Sequence, residues 1–260
     1  MNTQQLLIIA FVSTSLAGSA GAATILQTFE SGEDTSNWGS PAWSDGIIVS
    51  TFLDASLGGT QAGSGTSSTQ SFSRAFLDNT AGIDVTSSPY TISAFVQVNT
   101  FDGPSGGLFE IIDGSFGNAN AANLGIRTET VSPGTYVYHW QAKNAGVWQD
   151  LGINLDLGAA YQFELSVDPL SSLYSATVTR VNPDGSELAS GSLSGLAFDP
   201  NVITNHQNGE LRFYIQASSG GAGAIVDNIN IQGIPEPSAL MLAAGTSLLA
   251  LRRKRECAAA

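Results

Sequence analysis

Between residues 24 and 233 the chain is dominated by alternation with a period of two. From Tyr90 to Phe101, Ile92, Ala94, Val96 and Val98 alternate with Thr91, Ser93, Gln97 and Asn99, with Phe95 out of step. That is the pattern of a strand with one buried face. Phe163, Leu165 and Val167 alternate with Gln162, Glu164, Ser166 and Asp168 in the same way. Asn182-Pro183-Asp184-Gly185 is a turn, because Pro presets φ and Gly takes the strained position, and it joins strands over 173–181 and 187–193 as a hairpin. Further strands are predicted over 24–29, 47–52, 70–77, 106–113, 123–130, 135–142, 147–151, 210–217 and 224–232. The Gly- and Ser-rich stretch from Gly58 to Gly65 reads as a loop, and Ser218 to Gly223 as a flexible connection into the last strand. No repeat of fixed period is visible, and no long segment before the C-terminal tail has helical periodicity. Many short strands and frequent turn signals predict an all-β chain with a jelly-roll-like β-sandwich as one domain over 24–233.

The two ends break this pattern. Residues 1–23 read as an export signal, with a compact apolar run from Leu6 to Val12 and the small-x-small sequence Ala20-Gly21-Ala22 as cleavage site; no Lys or Arg precedes the run. At the other end Pro235-Glu236-Pro237 stands before an apolar helix over 238–251, followed by Arg252, Arg253, Lys254 and Arg255. The prolines suit the approach or first turn of a helix. At ~1.5 Å rise, the segment from Ser238 to Leu251 spans about 21 Å, short of the roughly 30 Å hydrocarbon core. The basic cluster fits a cytoplasmic flank. In order and position, residues 234–255 resemble the PEP-CTERM sorting signal of Gram-negative bacteria. That resemblance implies processing at Pro235-Glu236-Pro237 by an exosortase-like enzyme after passage through the export machinery. It further implies an inner-membrane intermediate anchored by the short helix, with Arg252 to Arg255 as its clamp, and delivery to the cell surface or extracellular matrix. Residues 256–260 form a tail the pattern does not require. Cys257-Ala258-Ala259-Ala260 fits a prenylation box only formally, since that signal conflicts with an export peptide.

Charge narrows the partners. With the basic cluster, Glu236 and Glu256 set aside, the body holds 5 basic and 20 acidic residues. Such a surface repels nucleic acid and anionic membranes, so no nucleic-acid partner is expected. Cys257 is the single cysteine, so the body has no disulfide and rests on its core, with or without a metal.

Two sets of side chains are candidate sites. In Ile225-Val226-Asp227-Asn228-Ile229-Asn230-Ile231, alternation puts Asp227 on one face with Ile225, Ile229 and Ile231, toward the core, and a buried carboxylate needs a partner. Pairing with Arg212 or Arg74, or a place at the rim, would satisfy it. The body is also similar in outline to carbohydrate-binding and laminin-G-like jelly-roll modules, whose terminal strands often hold a structural Ca²⁺. That resemblance implies Glu30 and Asp227 as ligands, with backbone carbonyls completing a hard-oxygen shell. The second set is aromatic. Tyr136, Tyr138 and Trp140 share one strand face, Trp148 follows across a turn, and Trp38 and Trp43 lie in a Gly/Ser/Pro-rich loop. Exposed, these rings would stack on sugars such as an exopolysaccharide; cross-strand packing inside the sandwich explains the strand stripe without any ligand and is the simpler reading.

Catalytic constellations are sparse. There is no Gly-x-Ser-x-Gly elbow, His-Glu-x-x-His helix or EF-hand loop. Glu110 and Asp113 fall on opposite strand faces, whereas glycoside hydrolysis needs two carboxylates converging on one sugar. His139 and His206 have no metal-ligand spacing. The expectation is therefore an exported surface or matrix protein whose body is a non-catalytic binding or structural module with glycan contact. The alternative is a glycan-active enzyme, glycosidase or lyase, on the same scaffold.

Overall fold

The computed structural model describes residues 24–35, 46–67, 72–77, 88–104, 108–113, 121–200, 211–216 and 222–234. The predicted export signal, Trp38, Trp43, Pro235-Glu236-Pro237, the apolar segment and the basic cluster lie outside these residues. No helix among the described residues is long and apolar enough to cross a membrane.

The strands in chain order are β1 (Thr24–Gln27), β2 (Gly46–Val49), β3 (Gln61–Ser67), β4 (Phe72–Leu77), β5 (Tyr90–Phe101), β6 (Leu108–Asp113), β7 (Ala122–Ser132), β8 (Thr135–Asn144), β9 (Val147–Asn154), β10 (Ala160–Asp168), β11 (Leu173–Val181), β12 (Glu187–Ala197), β13 (Leu211–Gln216) and β14 (Ala222–Gly233), with one helical turn, α1 (Ala55–Gly58). They form two antiparallel sheets, and the chain is an all-β sandwich. An eight-stranded sheet runs β12-β11-β10-β5-β14-β3-β2, with β1 also paired to β14. A six-stranded sheet runs β4-β13-β6-β7-β8-β9.

The alternation read from sequence sets the inner faces. Ile92, Ala94, Val96 and Val98 of β5 and Phe163, Leu165 and Val167 of β10 all lie in the core between the sheets. Phe95, the residue out of step, faces the other way and joins a smaller outer cluster with Phe52, Leu53, Ala62, Ala160 and Val181. The Pro-Asp-Gly turn closes the β11–β12 hairpin: Gly185 adopts φ +83° and its N–H donates to the Asn182 carbonyl at 2.9 Å.

Two expectations need correction. Residues 61–65 are not loop but the first part of β3, paired to β14 on one side and β2 on the other. Glycine and alanine carry no side-chain pattern, so a strand built on Ala62-Gly63-Ser64-Gly65 leaves no alternation to read. On β14, Asp227 and Ile225 do share a face, but it is the outer one. Ile225 packs on the outer cluster, while Val226, Ile229 and Ile231 are in the main core. A bulge reverses the phase: Asp227 is opposite Phe95 and Asn230 opposite Ser93, with Asn228 between them at φ +50°.

An aromatic seam joins the sheets. Trp140 is fully buried, edge-on to Phe109 of its own sheet at 6.0 Å and tilted against Tyr161 of the facing sheet at 5.4 Å. Phe163 and Phe213 meet across the sheets at 5.9 Å. The indole N–H of Trp140 is buried with no hydrogen-bond partner among the described residues. Trp140→Ala is therefore expected to cost about 3–5 kcal/mol in urea unfolding. Trp140→Phe should cost clearly less, because it also removes the unpaired donor; equal costs for the two variants would contradict this placement.

Candidate functional site

β14 has a break along one edge. β5 pairs with it from Ala222 to Gly233, but the opposite edge is shared: β3 takes Ala222 to Val226 and β1 takes Ile229 to Gln232. Asp227 and Asn228 lie in the gap. The Asn228 side-chain amide donates to the Leu57 carbonyl at 2.5 Å, tying α1 to the gap. The same segment is held from the hairpin side, where the Asp54 N–H donates to the Pro183 carbonyl at 2.7 Å. Phe52 and Leu53 are thus pressed onto the outer face of the eight-stranded sheet.

Three carboxylates converge on this cap. Asp227 is 1% exposed; its Oδ1 accepts the Asn228 N–H at 2.7 Å. Glu30 Oε1 accepts the backbone N–H groups of Thr60 and Gln61 at 2.7 and 2.8 Å, and these bonds, Thr60 first, hold its carboxyl below the usual range. Glu33 wraps the preceding turn, accepting from the Thr28 and Phe29 amides at 2.9 Å each and from the Gln27 side chain at 2.5 Å. Phe29 takes φ +61° in that turn while fully buried, which aims Glu30 at the cap. Burial chiefly, then the charges of Glu30 and Glu33, push the Asp227 carboxyl up to about 7, against the opposing Asn228 N–H.

Gly58 and Gly59 form a cradle for two of these groups. A Cβ on Gly58 would come within 3.0 Å of Asp227 Oδ2, and one on Gly59 would collide with the Glu30 carboxylate; Gly59 also has φ +65°. Paired oxygens of buried and half-buried carboxylates, with no arginine or lysine ion-paired to either among the described residues, are a donor set that fits a hard divalent cation. No group of three or more His, Cys, Asp or Glu among the described residues is arranged to hold one ion. A cation here would rest on Glu30, Asp227 and backbone carbonyls.

The outer face of the six-stranded sheet carries a second polar cluster. Arg127 is ion-paired to Glu110, and the Asn123 side-chain amide donates to Glu110 Oε2 at 3.1 Å. The Arg127 guanidinium carbon lies 3.6 Å from the ring centroid of Trp148, and Lys143 Nζ lies 4.9 Å from it. Gly125 makes room for that ring: a Cβ there would stand 3.2 Å from the Trp148 ring and 2.9 Å from the Phe109 carbonyl oxygen. His139 sits between two carboxylates, Nε2 at 3.0 Å from Glu129 and Nδ1 at 3.4 Å from Asp150.

The candidate residues are therefore distributed as follows. Glu30 and Asp227 are brought together at the cap, with Glu33 added; Ser31-Gly32 between the two glutamates was the signal for that reversal. Tyr136, Tyr138 and Trp140 do share a face, but the face is the interior. Trp140 has no exposed surface, Tyr138 is half-buried and packs edge-on against Phe101 at 5.1 Å, and Tyr136, at the strand end, is 39% exposed. Trp148, one strand further, is the ring on the outside. Glu110 and Asp113 point to opposite faces, Asp113 being buried and accepting from the Tyr90 hydroxyl at 2.5 Å.

No protein-family model and no curated protein sequence matches the chain. Among solved structures, the sandwich is similar to a carbohydrate esterase from the Shiga toxin-encoding bacteriophage phi24B, at 14% identity over 82% of this chain and 99% of that one, with a TM-score of 0.51. It is similar also to the xylan β-1,4-xylosidase of Bacillus halodurans C-125, at 9% identity over 80% of this chain and a TM-score of 0.51. The chain spans only 38% of the xylosidase. At these identities the likeness is one of fold.

The shifted carboxyl gives a pH signature. Folded, Asp227 keeps its proton up to about pH 7; unfolded, it releases it near ~3.9. The folded state binds more protons in between, so the stability this group contributes is fully present below about pH 4 and is lost as pH rises through about 7. Asp227→Asn should therefore gain stability over the parent as urea midpoints are followed from pH 5 to 8. A parent-to-variant difference independent of pH would contradict the assignment.

Proposed function

We propose that this protein is exported, held transiently by its apolar segment over 238–251, and released to the cell surface or extracellular matrix by an exosortase-like enzyme acting at Pro235-Glu236-Pro237. Its sandwich then serves as a non-catalytic module that contacts glycan, with a structural Ca²⁺ held by Glu30 and Asp227. When bound, the ion would neutralise the buried Asp227 carboxylate, which otherwise sheds its charge only by protonation. Glu30, fixed by the Thr60 and Gln61 amides, and Asp227, fixed by the Asn228 amide, would hold it against the Gly58-Gly59 turn.

The observation that carries the glycan reading is Trp148, a partly exposed ring on the outer sheet face, seated on Gly125 among hydrogen-bonding side chains. A flat ring beside donors and acceptors is what a sugar's apolar face and hydroxyls require. The sandwich neighbours, a carbohydrate esterase and a xylosidase, are proteins of carbohydrate chemistry, which supports the reading. The export and sorting part rests on the sequence features at both chain ends.

A glycan-active enzyme on the same scaffold is the second reading, favoured by His139 between Glu129 and Asp150. Binding is preferred because Glu110 is ion-paired to Arg127 and Asp113 is turned inward, so that strand does not offer a converging pair.

Protein recovered from the surface fraction of the native host should lack the residues after about Pro237 in its mass spectrum and should be retained by matrix polysaccharide. The Trp148→Ala form should be processed identically and lose retention. Intact tail peptides in that fraction would refute the processing, and equal retention of the variant would refute the contact at Trp148.

A further inference from the structure

The distribution of positive charge is uneven. The body carries 5 basic against 20 acidic residues between positions 24 and 233. Two of those five basic residues, Arg127 and Lys143, occupy outer positions of the six-stranded sheet on either side of Trp148. Arg212 is buried, at 5% exposure, and Arg180 of the eight-stranded sheet is ion-paired to Asp156. Among the described residues, the acids at outer positions of the six-stranded sheet are Glu110, Glu129 and Asp150, and Glu110 is ion-paired to Arg127. Two of the five cations of a strongly acidic body therefore flank one partly exposed ring.

We propose that this face, at Trp148 between Arg127 and Lys143, docks an acidic polysaccharide whose sugars carry carboxylates. The inference rests on the glycan reading above and specifies its ligand class. Lys143 is the group that takes the sugar carboxylate: no carboxylate among the described residues is ion-paired to it, and its ammonium rests only loosely on the indole ring. A charge-assisted hydrogen bond to a carboxylate is stronger than an exposed cation–π contact, so the ammonium gains by turning to the ligand. Arg127, pinned by Glu110 and by the Ile126 carbonyl at 2.7 Å, stays on the ring and keeps it in place. Glu129 and Asp150, both substantially exposed, accept hydrogen bonds from sugar hydroxyls.

This mixture of signs also selects among polyanions. A nucleic acid presents phosphates at close spacing and needs rows of cations to replace its counterions. A polyuronate carries one charge per sugar among many hydroxyls, which suits two cations interleaved with two acceptors.

The test measures retardation of the full chain in gels containing polygalacturonate, dextran or single-stranded DNA, at low and high salt. Polygalacturonate should retard the parent strongly, and raising the salt about tenfold should release it. Lys143→Glu should weaken binding by at least about tenfold, a difference of about 1.4 kcal/mol. Lys143→Gln should fall between parent and Lys143→Glu, and it serves as the decisive variant if Lys143→Glu melts early. Arg180→Gln, on the other sheet, should behave as parent. Equal retardation by dextran and polygalacturonate, unchanged by Lys143→Glu, would overturn the acidic specification while leaving the glycan reading standing. No retardation by either polysaccharide would overturn both. Retardation by DNA equal to that by polygalacturonate would overturn the proposal in favour of non-selective anion binding.

Discussion

The structure depends on how β14 is paired. As the last strand of the body, it lies beside β5 over its whole length, and it divides its other edge between β3 and the first strand, β1. The first and last of the described strands are thereby joined within the eight-stranded sheet. Sharing one edge between two strands requires a discontinuity, and the bulge at Asp227-Asn228 supplies it. The bulge lets Val226, Ile229 and Ile231 all point into the core although they are not evenly spaced.

The same discontinuity creates the carboxylate site. Asp227, turned outward by the bulge, would sit in solvent but for the segment from Phe52 to Gly59 that closes over it. Burying Phe52 and Leu53 contributes roughly 1.5–3 kcal/mol each, which is enough to hold a short cap but is opposed by an ionised carboxylate beneath it. Protonation relieves that opposition at low pH, and a divalent cation would relieve it at neutral pH. The Gly58-Gly59 turn brings backbone close to both carboxylates, so cap and site are one construction. The surface proposed to contact glycan is separate, on the far sheet, where Trp148 sits on Gly125 between Arg127 and Lys143.

Much of the sandwich was legible because its strands alternate. β5, β10 and the β11–β12 hairpin follow from side-chain pattern and turn chemistry alone. β3 was not legible, because a strand of Ala, Gly and Ser has no pattern. The pairing of Glu30 with Asp227 could be drawn from resemblance, but the direction in which Asp227 points could not: alternation assumes an unbroken ladder, and one residue in the left-handed region at Asn228 reverses it. The aromatic stripe was legible as a stripe. Which face was inside depended on the facing sheet, where Tyr161 waits for Trp140, and no local pattern encodes that contact. Trp148 was legible as a further ring, but its place on the outer face was not, since its seat is an absence of side chain at Gly125 on another strand.

The central claim is that the bulge at Asn228 sets the phase of β14 and thereby both the core and the site. Removing Asn228 alone tests it most directly. With Asn228 removed, Val226, Ile229 and Ile231 become evenly spaced, so a regular ladder keeps all three on the core face, while the bond from Asn228 to the Leu57 carbonyl that ties the cap over Asp227 is lost. The account predicts a deletion variant that still unfolds cooperatively but lacks the parent's loss of stability between pH 5 and 8 that comes from the buried Asp227. Loss of the cooperative transition on deletion, or a pH dependence unchanged from the parent, would contradict it.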